Sequence, residues 1–200
     1  MPRVLSPTEV EDFRDRLIEA AEHLFAEKGP EAVTMRQLAS ELGVSPMTPY
    51  RYFTDKDAIL AAVRARGFSR FADAMQAAYA SQTEPVAISR AVGRAYVNFV
   101  TEHPHAYRLM FDLAQPNEAD YPDLVEASHR SREMQVAHAR AMIDAGLIQG
   151  EPEMVAHMLW SSLHGALVLQ MAGKLSPNID PRELRTATFQ AILRGLGLKA

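Results

Sequence analysis

Apolar residues recur every three or four positions along almost the whole chain, and no stretch rich in Val, Ile and Thr alternates in twos. This pattern predicts an all-α protein. The first helix opens at Ser6-Pro7-Thr8-Glu9, where Ser6 caps, Pro7 needs no partner for its missing N–H, and Glu9 reaches back to complete a capping box. Phe13, Leu17, Ala20, Ala21, Leu24 and Phe25 form its apolar face, and Gly29 ends it.

Thr34-Met35-Arg36-Gln37 is a second capping-box pattern, and it starts a helix that Gly43 stops soon afterwards. Ser45-Pro46 starts a third, short helix, with Pro49 placed where a tightened first turn is expected rather than a break. Asp55-Lys56-Asp57 caps a long helix running to about Ala80, spaced by Ile59, Leu60, Val63, Phe68, Phe71 and Met75. Further helices are predicted over Pro85–Glu102, Pro104–Ala114, Pro122–Ala145, Pro152–Lys174 and Pro181–Leu196, with a loop over Gln115–Tyr121.

The segment TMRQLASELGVSPMTPYRYF packs one short helix, a tight turn at Gly43-Val44-Ser45 and a second short helix into a few turns of chain. That is the layout of a helix-turn-helix. Leu38, Ala39 and Leu42 pack inward, Val44 fills the corner and Phe53 anchors the end. Met47, Thr48, Arg51 and parts of Tyr50 and Tyr52 stay outside, on a helix with Ser45 as its N-cap and of a width that fits a DNA major groove.

The longer stretch LIEAAEHLFAEKGPEAVTMRQLASELGVSPMTPYRYFTDKDAILAAV resembles the N-terminal domain of TetR-family transcriptional regulators, over about Leu17 to Val63. Pro49 departs from it, since the family more often has Leu there. The resemblance implies roles for particular residues. Thr34 matches a phosphate-contacting cap, and Arg36 a base-reading or phosphate-gripping residue. Pro46, Met47 and Thr48 match base-facing positions, Tyr50 a tyrosine that touches backbone or base, and Lys56 a phosphate-binding lysine. Arg51 falls where the family varies. An arginine at position 36 can pair with guanine O6 and N7, and Met47 or Pro46 can cover a thymine methyl. The resemblance also implies a DNA-binding domain at 1–60, followed at 61–200 by a larger helical domain for ligand binding and dimerisation. The expected function is a repressor that binds a palindromic double-stranded operator as a homodimer and is released by an unidentified apolar or aromatic effector. The competing reading is a helical ligand-binding or scaffold protein that keeps the fold without specific DNA binding.

Aromatics and methionines at helical spacing in the second half are mostly core. Soft and aromatic side chains also make adaptable pockets, and the family's ligand-binding half implies that Phe99, His103, Tyr107, Met110, Phe111, Trp160, His164, Leu167 and Met171 line one. LWSSLHGALVLQMAGKL is similar to a signature of one TetR subgroup, with Trp160, His164 and Gly165 as its marks. Trp160 and His164 share a helix face. His164 reads either as a hydrogen-bonded core histidine or as part of a dimer seam or pocket wall.

Composition narrows the function further. Net charge is −4, so bulk electrostatics do not announce a nucleic-acid binder. Locally, Arg36, Arg51, Lys56, Arg64 and Arg66 outnumber Glu41, Asp55 and Asp57, whereas acids crowd the first helix. With no cysteine, thiol catalysis and Cys-based zinc sites are excluded. The histidines lack metal-ligand spacing, and no nucleophile elbow, phosphate loop or dinucleotide turn is present, so neither an enzyme nor a cofactor is expected. The absence of a secretory leader or a long apolar run predicts a cytoplasmic protein with no membrane partner.

Overall fold

The computed structural model describes residues 6–112 and 116–198. Among these there are eight α-helices and no strands: α1 Pro7–Lys28, α2 Met35–Glu41, α3 Lys56–Ala80, α4 Pro85–Glu102, α5 Pro104–Met110, α6 Pro122–Asp144, α7 Pro152–Met171 and α8 Pro181–Gly195. Six of them begin on proline, whose fixed φ suits the first turn and whose missing N–H would have had no helical partner there. The expected caps form. Ser6 accepts from the Glu9 N–H while Glu9 accepts from the Ser6 N–H, Asp55 Oδ1 accepts from the Ala58 N–H at 2.8 Å, and Asp180 accepts from Arg182 and Glu183.

Helix ends depart slightly from expectation. α5 ends at Met110, and the expected terminus Ala114 lies outside the described residues, as does Gln115 at the start of the expected loop. That loop contains a single 3-10 turn at Glu118–Asp120. α7 stops at Met171 rather than Lys174, because Gly173 adopts a φ of 62° and closes the helix.

The chain forms two compact units. One holds the residues up to Phe68 with His105–Ser128, and the other holds Ser69–Pro104 with the residues from His129 onward. This grouping by compactness differs from the division expected at 60 and 61, which rests on what the resemblance implies each part binds. In the first unit, Leu17, Leu24 and Phe25 of α1 pack with Met35 and Leu38 of α2, with Phe53 just before α3, with Ile59, Leu60 and Val63 of α3, and with Leu109 of α5. Each large apolar side chain so buried contributes about 1.5–3 kcal/mol. Arg64 is buried in this unit, where its Nη2 lies 3.5 Å from both the Met110 carbonyl and Glu118, which in turn accepts from Ser128.

In the second unit, Ala139 and Met142 of α6, Ile148 of the connection that follows it, Val155, Ala156 and Leu159 of α7, and Leu193 of α8 form one cluster. Phe71 of α3 meets Tyr96 edge-on and lies against Phe99, each at 5.0 Å between centroids. Asp73 of α3 pairs with Arg130 of α6.

Candidate nucleic-acid interface and buried cavity

α2 buries Met35, Leu38 and Ala39 and leaves Arg36, Gln37 and Ser40 exposed, so the helix presents one polar face. Its start is fixed by a reciprocal box in which Thr34 Oγ1 accepts from the Gln37 N–H and Gln37 Oε1 accepts from the Thr34 N–H at 2.8 Å. Thr34 and Arg36 are therefore held at the exposed beginning of a capped helix. Gly43, with φ at 65°, turns the chain, and the Val44 N–H returns to the Ala39 carbonyl at 2.9 Å.

Beyond the turn the structure corrects an expectation. No α-helix follows Ser45; residues 46–48 form a turn, and Pro49–Arg51 form a single 3-10 turn. The cause is Pro49. An α-helix capped at Ser45 would use the N–H of residue 49 for its first bond to the Ser45 carbonyl, and proline has none. That carbonyl accepts instead from the Thr48 N–H at 2.8 Å, and the bonds from Arg51 to Thr48 and from Tyr52 to Pro49 continue the tighter pattern. Ser45 caps a turn rather than a helix, with its Oγ only 3.5 Å from the Met47 nitrogen. The Pro49 ring is buried.

The outward face still exposes most of the residues expected on it. Met47 is 67% exposed and Tyr50 50% exposed. Ser45, Pro46 and Arg51 are exposed beside them and Thr48 is half-buried. Two residues sit more firmly than their expected roles imply. Tyr52 is half-buried and stacks on Phe13 at 4.4 Å, while Lys56 is half-buried and donates from Nζ to the Pro30 carbonyl at 2.7 Å. Lysine has two further donors, so this bond positions the ammonium without using it up.

A support that sequence reasoning missed lies behind this face. Arg14 of α1 donates to the Tyr52 carbonyl at 2.7 Å and lies over the Phe53 ring at 4.2 Å. Phe13 was legible from the apolar stripe of α1, but no local pattern singles out its neighbour Arg14 among the charged residues of that helix.

The nine residues expected around an effector divide between the two units. Tyr107 and Met110 are buried and Phe111 is half-buried in the first unit, where Phe111 meets Phe68 at 5.5 Å and Tyr107 at 4.8 Å. Phe99, His103, Trp160, His164, Leu167 and Met171 belong to the second. There Phe99 and Leu167 are buried, while His103 and Met171 are exposed. Trp160 and His164 do share a face, with rings 6.1 Å apart, and partial burial lowers the His164 pKa. Of the nine, Trp160 alone lines a small cavity in the second unit.

That cavity has room for a single water, about 20 Å³, and its polar wall is Gln135 and His138 of α6. Both are buried. Burial pulls the His138 pKa down to about 4, against the opposing influence of the Met134 carbonyl, so the ring is neutral at physiological pH. Neither residue was singled out from sequence, because a polar residue on an amphipathic helix normally reads as solvent-facing. Among the described residues no three His, Asp or Glu side chains cluster as a metal site, and no helix is long and apolar enough to cross a membrane.

Comparison with known proteins fits this architecture. Residues 17–63 match the profile of bacterial regulatory proteins of the tetR family, and residues 89–196 match the tetracyclin repressor-like C-terminal domain. An uncharacterized HTH-type transcriptional regulator of Mycobacterium tuberculosis, MT1294, is 33% identical over 81 residues, covering 40% of this chain and 40% of its own length. The HTH-type transcriptional activator FasR of Mycolicibacterium smegmatis is 28% identical over 102 residues, covering 51% of this chain and 47% of its own. The chain thus spans about half or less of the length of these curated relatives. Among solved structures, a protein of unknown function from Rhodococcus sp. RHA1 superposes with a TM-score of 0.80 at 29% identity, covering 98% of both chains. Both profiles describe regulators rather than enzymes, and with a helix-turn-helix face at one end and a helical C-terminal half matched at the other, the chain belongs to the TetR family of transcriptional regulators.

Proposed function

We propose that the protein is a ligand-responsive repressor that binds an inverted-repeat operator as a homodimer in the cytoplasm, with residues 1–60 reading DNA and 61–200 pairing the protomers and sensing the effector. The observation that carries the DNA-reading part is the joint exposure of Met47, Tyr50, Arg36 and Arg51 around one glycine turn. Exposed large apolar groups flanked by guanidinium groups suit a surface that covers thymine methyls and grips phosphate or guanine. Thr34, Ser45, Pro46, Thr48, Tyr52 and Lys56 complete the proposed interface.

Pairing is proposed through α7 and α8. Met154, Met158, Val168 and Leu169 of α7 are exposed and fall on one helical face with Ser161 and Gly165 between them. A Cβ added at Gly165 would meet nothing within 4 Å, so small residues leave that face open to another helix. Two-fold pairing presents two recognition segments to one duplex, as a palindromic site requires. We also read Trp160, His164 and Gly165 as the mark of one subgroup of the family.

The direction of regulation has a second reading, since the relative FasR is named an activator. A promoter-reporter assay with and without the gene separates the two. The DNA-binding proposal itself is tested by sedimentation and footprinting on duplexes enriched from a random pool. A dimer that protects two symmetric half-sites about 10 base pairs, or a multiple of that, apart supports it. A monomer with diffuse protection contradicts it.

A further inference from the structure

The thioether of Met47 is open to small reagents as well as to DNA. At 67% it is the most exposed of the large hydrophobic side chains among the described residues. The other described methionines of the first unit, Met35 and Met110, are 7% and 1% exposed, so in that unit an oxidant dissolved in water reaches one thioether. The chain contains no cysteine, so no thiol reacts ahead of it. Met154, Met158 and Met171 of α7 are also exposed, but all three belong to the second unit, and the first two lie on the face proposed to pair with another copy.

Oxidation alters Met47 in the very property that its proposed role uses. A thioether is apolar and polarisable, and it can cover a thymine methyl without needing a hydrogen bond. When a peroxide reacts, a sulfur lone pair attacks one oxygen, the S–O bond forms and the O–O bond breaks. With hydrogen peroxide the departing oxygen takes up a proton and leaves as water; sulfur has lost two electrons and the peroxide has gained them. The sulfoxide that remains is polar and only accepts hydrogen bonds. Against a thymine methyl its oxygen is stripped of water and left without a partner, and against phosphate it faces another acceptor. Both placements weaken binding, and a two-fold dimer carries the change in both half-sites. Reversal needs a dithiol, which removes the oxygen as water and closes to a disulfide. With no cysteine of its own, this chain relies on a separate reductase for that step.

We propose that Met47 is a reversible oxidation site: a peroxide converts it to the sulfoxide and so releases the protein from specific DNA, and a methionine sulfoxide reductase restores binding. The consequence for DNA rests on the reading of the Met47 face as the DNA-contacting surface.

The full chain is first titrated with the enriched and scrambled duplexes, then partially oxidised with hydrogen peroxide and offered a limiting amount of the enriched duplex. Bound and free fractions are separated, digested and mapped by mass spectrometry. Met47 sulfoxide is expected to be depleted about 10-fold or more in the bound fraction, the effect of one unpaired polar group at a contact, while Met171 sulfoxide divides evenly. Incubation with methionine sulfoxide reductases for both epimers and a dithiol restores binding. Met47→Leu, whatever its own starting affinity, no longer loses affinity on peroxide treatment; if that variant does not bind DNA, the partition of the wild-type protein decides. Equal Met47 sulfoxide in the two fractions, oxidation of Met47 no faster than that of the buried Met110, or an undiminished peroxide response in Met47→Leu overturns the proposal and leaves sequence-specific binding standing. If the unoxidised protein does not prefer the enriched duplex, the DNA reading itself fails and this proposal falls with it.

Discussion

The guanidinium of Arg14 lies over the Phe53 ring, 4.2 Å from its centroid, and donates to the adjacent Tyr52 carbonyl. The contact ties α1 to the end of the segment that presents Met47 and Tyr50, where the backbone has only one 3-10 turn to hold its shape. Arg14→Leu is expected to cost about 1–2 kcal/mol of stability, from a charge-assisted hydrogen bond and a partly buried cation–π contact. Operator affinity should fall as well, although Arg14 is not proposed to touch DNA. Urea unfolding and DNA titration check this, and loss of stability with unchanged affinity would show that the segment holds its shape without Arg14.

Pro49→Leu restores the missing N–H and removes the ring from the Ser45 carbonyl. Residues 46–52 should then form a regular α-helix with Ser45 as its cap, rotating Met47 and Tyr50 relative to α2. The enriched operator sequence should change more than the affinity does. Backbone chemical shifts and DNA selection on the variant test both parts; identical shifts over 45–52 would mean that something other than Pro49 sets the 3-10 turn.

At the proposed interface, Arg36→Ala or Tyr50→Ala is expected to weaken operator binding by about 1–3 kcal/mol where the side chain reads a base. Lys56→Ala should weaken every duplex alike and lower the salt slope by about one. It also deletes the bond to the Pro30 carbonyl, so its melting temperature is measured beside its affinity. Unchanged affinity in all three variants would remove the interface assigned here.

His138 makes stability depend on pH. Its pKa is about 4 in the fold against an ordinary histidine value of 6.5. Above 6.5 the ring is neutral in both folded and unfolded chains, and nothing is lost. As pH falls from 6.5 toward 4 the unfolded chain takes up a proton that the folded chain refuses, so stability declines by roughly 3 kcal/mol across that window. His164, also lowered but half exposed to water, adds a smaller loss in the same direction. Denaturant unfolding between pH 7 and 4 should show the decline, and His138→Gln should flatten most of it. An equal slope in the variant would place the acid sensitivity elsewhere.

Much of the fold was legible because the residues that start and stop its helices are local. The prolines at 85, 122, 152 and 181 and the glycines at 29 and 43 mark boundaries wherever the rest of the chain lies. The exposed face around Met47 and Tyr50 was legible for the same reason. The 3-10 turn was not, because whether Pro49 tightens a helix or prevents it depends on how its ring packs beneath the segment. The contacts of Arg14 and Lys56 were hidden by distance, since their partners lie 38 and 26 residues away. The grouping of Tyr107, Met110 and Phe111 apart from Trp160 could not be read either, because helical spacing records a buried face without naming the unit it is buried in. His138 and Gln135 escaped notice because their burial depends on α4 and α7 covering α6.

The central claim is sequence-specific recognition of DNA by the surface around Met47 and Tyr50. Its most direct test is the affinity of the purified protein for an enriched duplex and for a scrambled duplex of the same length, at several salt concentrations. The account predicts a specific affinity about 10³-fold or more tighter than the scrambled one, with that ratio collapsing in an Arg36→Ala/Tyr50→Ala double variant while the scrambled-duplex affinity changes little. Equal affinities for the two duplexes, or a ratio that survives the double variant, would contradict it.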